Sequence, residues 1–221
     1  MSDHDSPKGP FPLITEENKF NAELARILEY HAMEIGRVAI SWNVLHEELG
    51  QQFAATVSPK AQDVALAAWH AVRSDRNARD MLAAATKKLF GPESKFAHLL
   101  IKGVLNQMNS IEDARNSILH APYGFDFNEQ FEVFFVPSSE HGNPHARKLA
   151  EKGFVDEIQF TEWKINELRR FLHAIQHQLG HPEDARSWPD IPALRRAEFD
   201  NQQDRYSSQR QQQPPPESSQ E

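Results

Sequence analysis

Three residues in a short stretch of the chain have side chains that could act together on a phosphodiester: Arg115, Asn116 and His120. A histidine exchanges protons near neutral pH, and an arginine can bind a phosphate through two parallel hydrogen bonds. An asparagine can orient either the substrate or the histidine. The three residues therefore indicate a site for phosphodiester cleavage. The alternative is structural, because cations near the C-terminus of a helix are favoured by the helix dipole without any catalytic role.

The apolar residues that lead into this stretch predict that it lies at the end of a helix. They recur at spacings of three and four up to Pro122. Because a proline disfavours the α conformation in the residue before it, we expect the helix to end at about His120. Asn116 and His120 are four residues apart and share a face, whereas Arg115 points partly away. Arg115 would either reach back to the same site or serve a second copy of it across a dimer axis.

The motif Arg115-Asn116-x-x-x-His120 resembles the R-x4–6-H motif of the HEPN superfamily. The upstream stretch 41–49, Ser-Trp-Asn-Val-Leu-His-Glu-Glu-Leu, is similar to the W-x-x-L-E-x-x-L helix that often precedes this motif in the family. The resemblance covers about residues 20–180. It implies a small helical bundle in which two protomers pair so that their motifs line one cleft. Many members of the family cut RNA without a metal ion.

The resemblance implies a metal-independent endoribonuclease, with RNA as its substrate. His120 would be the general base or acid, Arg115 would bind the phosphate and Asn116 would position the reacting groups. The ribose 2′-OH would be the nucleophile, so the products would carry 2′,3′-cyclic phosphates. Such proteins often act as toxins or in anti-phage defence, and we expect a homodimer with a possible regulatory protein partner. The alternative is a non-catalytic HEPN-like module that dimerises or binds a nucleotide or another protein.

Histidines near the C-terminus of the last predicted helix form a rival site. His173 and His177 are four residues apart, and His141 and His145 lie in the preceding loop. Two histidines at a spacing of four on one helix face can bind Zn²⁺. A third ligand and an open position would then make a hydrolytic metal centre. His181 lies beyond Gly180 and is expected off the helix, and no acidic partner stands at a suitable spacing. We therefore expect neither a metal ion nor a cofactor.

Composition and charge limit the class of protein. The 221 residues suffice for one domain with a sizeable core, and the lack of cysteine excludes disulfides and thiolate sites. A net charge of −8 argues against broad nonspecific binding to nucleic acid, although residues 73–120, which contain the motif, carry a net charge of +3. No apolar run approaches the roughly 20 residues of a membrane span. The N-terminus lacks the apolar segment of a signal peptide, so we expect a cytoplasmic protein.

Hydrophobic periodicity predicts a mainly α fold, a helical bundle of four to five helices with a β-hairpin inserted before the last helix. Gly36 is expected to break or kink the first helix, which is unusually long. Alternating aromatic residues predict the hairpin over residues 123–136, and Phe154, Ile158 and Phe160 could add a short third strand. The expected helices cover about residues 15–57, 59–72, 76–90, 93–120 and 162–179.

The domain organisation follows from changes in composition along the chain. Three prolines near the N-terminus predict a flexible arm over residues 1–12, followed by a HEPN-like helical domain over residues 13–192. Residues 193–221 are rich in Gln and Pro and are expected to form a disordered tail.

Two groups of charged residues are expected on solvated helix faces. Arg73, Arg76 and Arg79 are spaced three apart, and Glu47 and Glu48 are adjacent acids. The alternatives are a functional basic stripe for the arginines and, for one of the two acids, inward pairing with the arginine of the motif.

Overall fold

A computed structural model describes residues 16–129, 132–138, 142–150, 154–181 and 187–212, so the predicted arm over residues 1–12 lies outside the described residues. The described chain is mainly helical with a small antiparallel hairpin, which confirms the predicted mainly α fold with a hairpin. These residues form more helices than the four to five expected, and three helices rather than one follow the hairpin. Within these ranges no helix is both long enough and apolar enough to cross a membrane. The helices are α1 (Glu16–Val57), α2 (Gln62–Ala71), α3 (Asp75–Phe90), α4 (Lys95–His98), α5 (Asn106–His120), α6 (Pro144–Ala150), α7 (Phe154–Gly180) and α8 (Arg196–Gln212).

Helix α1 continues without interruption for 42 residues. Of the two outcomes predicted for Gly36, a break or a kink, the break is therefore wrong, because one glycine inside a helix costs only about 1 kcal/mol and packing further along the helix outweighs that cost. Helix α1 packs against α2 and α7. Its apolar stripe supplies the centre of the core, where Trp42, Leu45 and Leu49 are at most 1% exposed.

The helix that ends in the motif has three parts. It begins in α4, continues through a π-helical segment, Leu99–Leu105, and ends as α5. Gly103 lies in the π-helical segment, and a Cβ atom there would be only 2.3 Å from Cε1 of Phe171 in α7. The absence of a side chain thus lets α7 approach closely. Helix α5 ends at His120 as predicted, because the next residue is extended before Pro122.

The hairpin consists of β1 (Tyr123–Phe127) and β2 (Val133–Pro137), close to the predicted range. The strands are antiparallel, with Tyr123 opposite Pro137 and Phe125 opposite Phe135. The rings of Tyr123 and Phe135 stack with their centroids 5.4 Å apart, and the ring of His31 in α1 stacks on Phe135 with a centroid separation of 5.0 Å. These ring contacts attach the hairpin to the N-terminal half of α1.

Helix α7 begins earlier than the sequence predicts. The third strand suggested by Phe154, Ile158 and Phe160 is wrong, since these residues form the first two turns of α7. Ile158 and Ile165 are fully buried with Thr161 between them. The apolar residues of this segment therefore follow the spacing of three and four typical of a helix rather than the alternation typical of a strand.

Helix α8 corrects the prediction of a disordered tail from residue 193. Its first turns pack on α7 through Phe199, which is 6% exposed and lies 5.5 Å from Phe160 and 5.9 Å from Trp163 between ring centroids. The indole N–H of Trp163 donates a hydrogen bond to the side chain of Gln202. An aromatic anchor thus attaches an otherwise polar helix. Residues 213–221 lie outside the described part of the chain.

Candidate active site

The motif residues occupy the last two turns of α5. Arg115 and Asn116 are half-buried, and His120 is exposed. Arg115 Nη1 donates a hydrogen bond of 2.8 Å to Asn116 Oδ1. Within the described residues no hydrogen bond joins Arg115 to His120, and in a regular α-helix the five-residue offset separates them by about 140° of rotation. The structure therefore brings Arg115 to Asn116 and leaves His120 on a different face of α5 from Arg115.

The guanidinium of Arg115 is held by an aromatic ring. Its Cζ lies 5.4 Å from the centroid of the Trp42 ring, a distance at which a cation is attracted to the ring face. Its Nε is buried without a hydrogen-bond partner, and no carboxylate of the described residues lies within ion-pair distance. Glu48 does not pair with it, because that carboxylate binds Arg169 on α7. No carboxylate of the described residues therefore neutralises the positive charge of Arg115.

Trp42 is itself fixed by a polar network. Its indole N–H donates a 3.0 Å hydrogen bond to Asp75 Oδ2, and Arg79 Cζ lies 5.6 Å from its ring centroid. Arg79 is 1% exposed and donates hydrogen bonds to Asn109 Oδ1 at 3.0 Å and Glu112 Oε2 at 2.8 Å. The expectation of a solvated face for Arg79 is therefore wrong. Helices α1, α3 and α5 meet at Trp42, so the arginine of the motif rests on the core.

His46, one turn beyond Trp42 on α1, faces the same acid. Its Nε2 lies 3.7 Å from Asp75 Oδ1, which is within ion-pair range but too long for a hydrogen bond. Burial lowers the pKa of His46, and the Asp75 carboxylate opposes this effect only partly. Because a neutral imidazole attracts the carboxylate weakly, the main partner of Asp75 is the indole of Trp42.

His120 has a histidine neighbour from another element. The ring of His145, in α6, lies 6.4 Å from that of His120 between centroids. Ser117 Oγ, on a residue only 2% exposed, lies 3.3 Å from His145 Nδ1. Asn143 Oδ1 accepts hydrogen bonds from the N–H groups of His145 and Ala146, which fixes the start of α6. The sequence alone does not associate His145 with the motif, because the two meet only after the hairpin folds back.

The rival histidines on α7 have other partners. His173 Nε2 lies 3.3 Å from Glu48 Oε1, a carboxylate that also binds Arg169. The ring of His177 stacks on that of His181 at 4.5 Å. Among the residues that the structure describes, no group of three or more His, Asp or Glu side chains is arranged to hold a metal ion.

Comparison with protein-family models, curated proteins and solved structures finds no match for this chain. The resemblance to the HEPN superfamily therefore rests on the motif residues and on the order of the elements. In the folded chain the two stretches that carry the resemblance are in contact, since Trp42 of the upstream helix lies against Arg115 of the motif.

Proposed function

We propose that the protein is a metal-independent endoribonuclease of the HEPN type, with Arg115, Asn116 and His120 in its active site. One observation carries the proposal. The guanidinium of Arg115 is held by Trp42 and Asn116 rather than by a carboxylate, so its charge is available to an anion. An exposed histidine ends the same helix. A fixed cation and an accessible imidazole are two groups that phosphodiester transfer requires.

The proposed chemistry assigns one task to each residue. Arg115 binds the scissile phosphate and stabilises the charge that develops on its oxygens. Asn116 orients the guanidinium through the hydrogen bond from Nη1 to Oδ1. His120 transfers a proton as the ribose 2′-OH attacks phosphorus. The products are a 2′,3′-cyclic phosphate and a 5′-hydroxyl end.

The site is proposed to be completed by a second copy of the chain. Arg115 and His120 lie about 140° apart around α5 and cannot face one phosphate squarely. A two-fold axis would bring Arg115 of one protomer near His120 of the other, in an interface where every contact occurs twice. Light scattering across a dilution series, with cleavage measured in parallel, tests this arrangement. Activity that falls as the dimer dissociates supports the composite site, whereas a fully active monomer rules it out.

The decisive experiment measures cleavage of RNA by purified variants. Replacing His120 by alanine is expected to lower the rate by about 10²–10⁴, the usual contribution of a proton-transfer group. Arg115→Ala is expected to lower it by about 10²–10³, and Arg115→Lys should restore little, since lysine lacks the planar fork. His98→Ala is the matched control, because His98 is an exposed histidine on α4. Wild-type activity in His120→Ala would contradict the assignment.

A metal requirement is tested separately with EDTA. Cleavage is expected to continue in the chelator, because Arg115 and His120 supply charge stabilisation and proton transfer. Activity that disappears in EDTA and returns with Zn²⁺ would instead favour His173 and His177, the rival pair on α7.

We further propose that the protein acts in the cytoplasm as a toxin or anti-phage effector under the control of a regulatory protein. Such a role depends on the cleavage activity. Expression of the wild type in bacterial cells is expected to arrest growth, and expression of His120→Ala is not. Growth arrest by both proteins at equal abundance would show that toxicity does not depend on cleavage.

The second candidate is a non-catalytic HEPN-like module that binds a nucleotide or a protein partner. It is favoured by the close packing of Arg115 on Trp42, a core residue that also contacts the buried Arg79. In this case Arg115→Ala would reduce stability and binding, and the wild type would bind nucleotide without cutting RNA. Nucleotide binding and cleavage measured on the same preparation distinguish the two candidates.

A further inference from the structure

We propose that His145 is a second proton-transfer residue of the active site and works as a pair with His120. The inference rests on the proposed ribonuclease function and extends it to a residue outside the motif. The scissile phosphodiester of the RNA would bind between the two imidazoles. The site would then draw on α6 as well as α5.

The positions of the two rings carry the proposal. Their centroids are 6.4 Å apart and tilted by 59°, so they are not stacked on each other. His120 is exposed and His145 half-buried, which leaves both accessible from solvent. A proton-transfer group must come within about 2.6–3.2 Å of the atom with which it exchanges a proton. A phosphate between two rings at this separation can be reached by both.

Ser117 orients the second ring. Its hydroxyl lies 3.3 Å from His145 Nδ1, which leaves Nε2 as the nitrogen available to a substrate. Ser117 is three residues before His120 on the same helix and is 2% exposed, so its side chain is held in the core of the α5–α6 contact. Because a hydroxyl can donate to a neutral imidazole or accept from a protonated one, this contact persists in both states. Ser117 is thus a positioning residue.

Two histidines satisfy the proton balance of the reaction. One imidazole is neutral and takes the proton of the 2′-OH as the bond between O2′ and phosphorus forms. The other is protonated and gives its proton to O5′ as the bond between phosphorus and O5′ breaks. The pair holds one proton before and after the step, so no other acid or base is needed. Arg115 of the second copy, which the proposed two-fold axis brings near His120, stabilises the phosphate oxygens during the transfer.

The test compares an oligoribonucleotide that has one cleavable linkage with the same molecule carrying sulfur in place of the bridging O5′. A thiol leaving group has a pKa near 8.5 and departs without protonation. On the ordinary substrate His145→Ala and His120→Ala are each expected to lower the rate by about 10²–10⁴. On the sulfur substrate one of the two variants, the one without the proton donor, should return to near the wild-type rate. A purely structural defect would impair cleavage of both substrates alike.

Several outcomes would overturn the inference. If His145→Ala cuts the ordinary substrate at the wild-type rate while His120→Ala does not, the inference fails and the proposed function stands. If neither variant is restored by the sulfur substrate, the two histidines are not an acid–base pair. If the wild type cuts no RNA, the proposed function fails, and this inference fails with it. His145→Gln serves as a second variant should His145→Ala not fold, and His98→Ala is again the control.

Binding provides a readout that does not depend on cleavage. Uridine 3′-monophosphate is titrated into the protein while the imidazole Cε1–H resonances are followed by NMR. We expect the resonances of His120 and His145 to shift with the same dissociation constant and that of His98 to remain in place. A shift of the His120 resonance alone would show that His145 is not part of the phosphate-binding site.

Discussion

Replacing Gly103 with alanine tests how closely α7 packs against the helix that carries the motif. The new Cβ atom would lie 2.3 Å from Cε1 and 2.9 Å from Cζ of Phe171. Carbon atoms in contact are normally about 3.5–4.0 Å apart. The ring must therefore move by more than about 1 Å, and it has little room because Phe171 is only 6% exposed. Overpacking of this kind costs about 1–3 kcal/mol.

The matched control is Gly36→Ala. It makes the same chemical change inside a helix, but a Cβ atom at Gly36 would meet nothing within 4 Å. Alanine at an unobstructed helical position is expected to stabilise the protein by about 0.5–1 kcal/mol over glycine. Because both variants share this gain, the overpacking cost is the difference between them. Gly103→Ala should therefore be less stable than Gly36→Ala by about 1–3 kcal/mol.

Urea unfolding followed by far-ultraviolet circular dichroism measures this difference, provided that the slope of the free energy against urea is the same in both variants. In thermal unfolding each kcal/mol corresponds to about 2–4 °C for a chain of this size. The two melting temperatures should thus differ by roughly 2–12 °C. If Gly103→Ala were as stable as Gly36→Ala, the close approach of Phe171 to the π-helical segment would be refuted.

Three further predictions concern the surroundings of the site. Arg79→Met should lower the free energy of unfolding by about 3 kcal/mol, because it leaves the half-buried carboxylate of Glu112 without its partner. Arg76→Met, on the exposed face of the same helix, is the control and should change the free energy of unfolding by less than about 0.5 kcal/mol. Both are measured by the same urea experiment. Burial raises the pKa of Tyr123 above its ordinary range. The folded protein therefore resists ionisation of this phenol, so stability falls as the pH rises above about 10, the value in the unfolded chain. Urea unfolding across that range should show a smaller loss for Tyr123→Phe, and an equal loss would contradict the assigned burial. Ser117→Ala should lower RNA cleavage by about tenfold, the effect of one hydrogen bond of about 1.4 kcal/mol, and should shift the NMR resonance of His145; a variant unchanged in both would exclude the positioning role.

Elements whose pattern reflects burial on one side could be predicted from the sequence. The stripe through Trp42, Leu45 and Leu49 is apolar at helical spacing because this face of α1 lies against the core. Alternation in β1 and β2 likewise predicts the hairpin. The end of α5 at His120 follows from a local steric rule about the residue before proline.

The features that escaped prediction depend on contacts between distant parts of the chain. Arg79 is buried because it meets Glu112, which is 33 residues away, and no local pattern distinguishes it from a solvated arginine. His145 reaches the end of α5 only through the hairpin and α6. Helix α8 has a polar composition, and its attachment depends on Phe199 finding the aromatic rings of α7. For the motif residues themselves the sequence predicts a shared position on α5, while their catalytic roles remain predictions.

The π-helical segment Leu99–Leu105 determines which way the end of α5 faces. A π-helical turn contains an extra residue compared with an α-helical one, and each residue of an α-helix corresponds to a rotation of about 100°. Deleting one residue from this segment would allow the helix to become α-helical throughout, at the expense of turning either its first or its last part by about that angle. Arg115 would then leave the ring of Trp42, or Leu100 and Val104 would leave the core. The direction in which the motif points thus depends on the one extra residue of the π-helical turn, which lies at least ten positions upstream of Arg115.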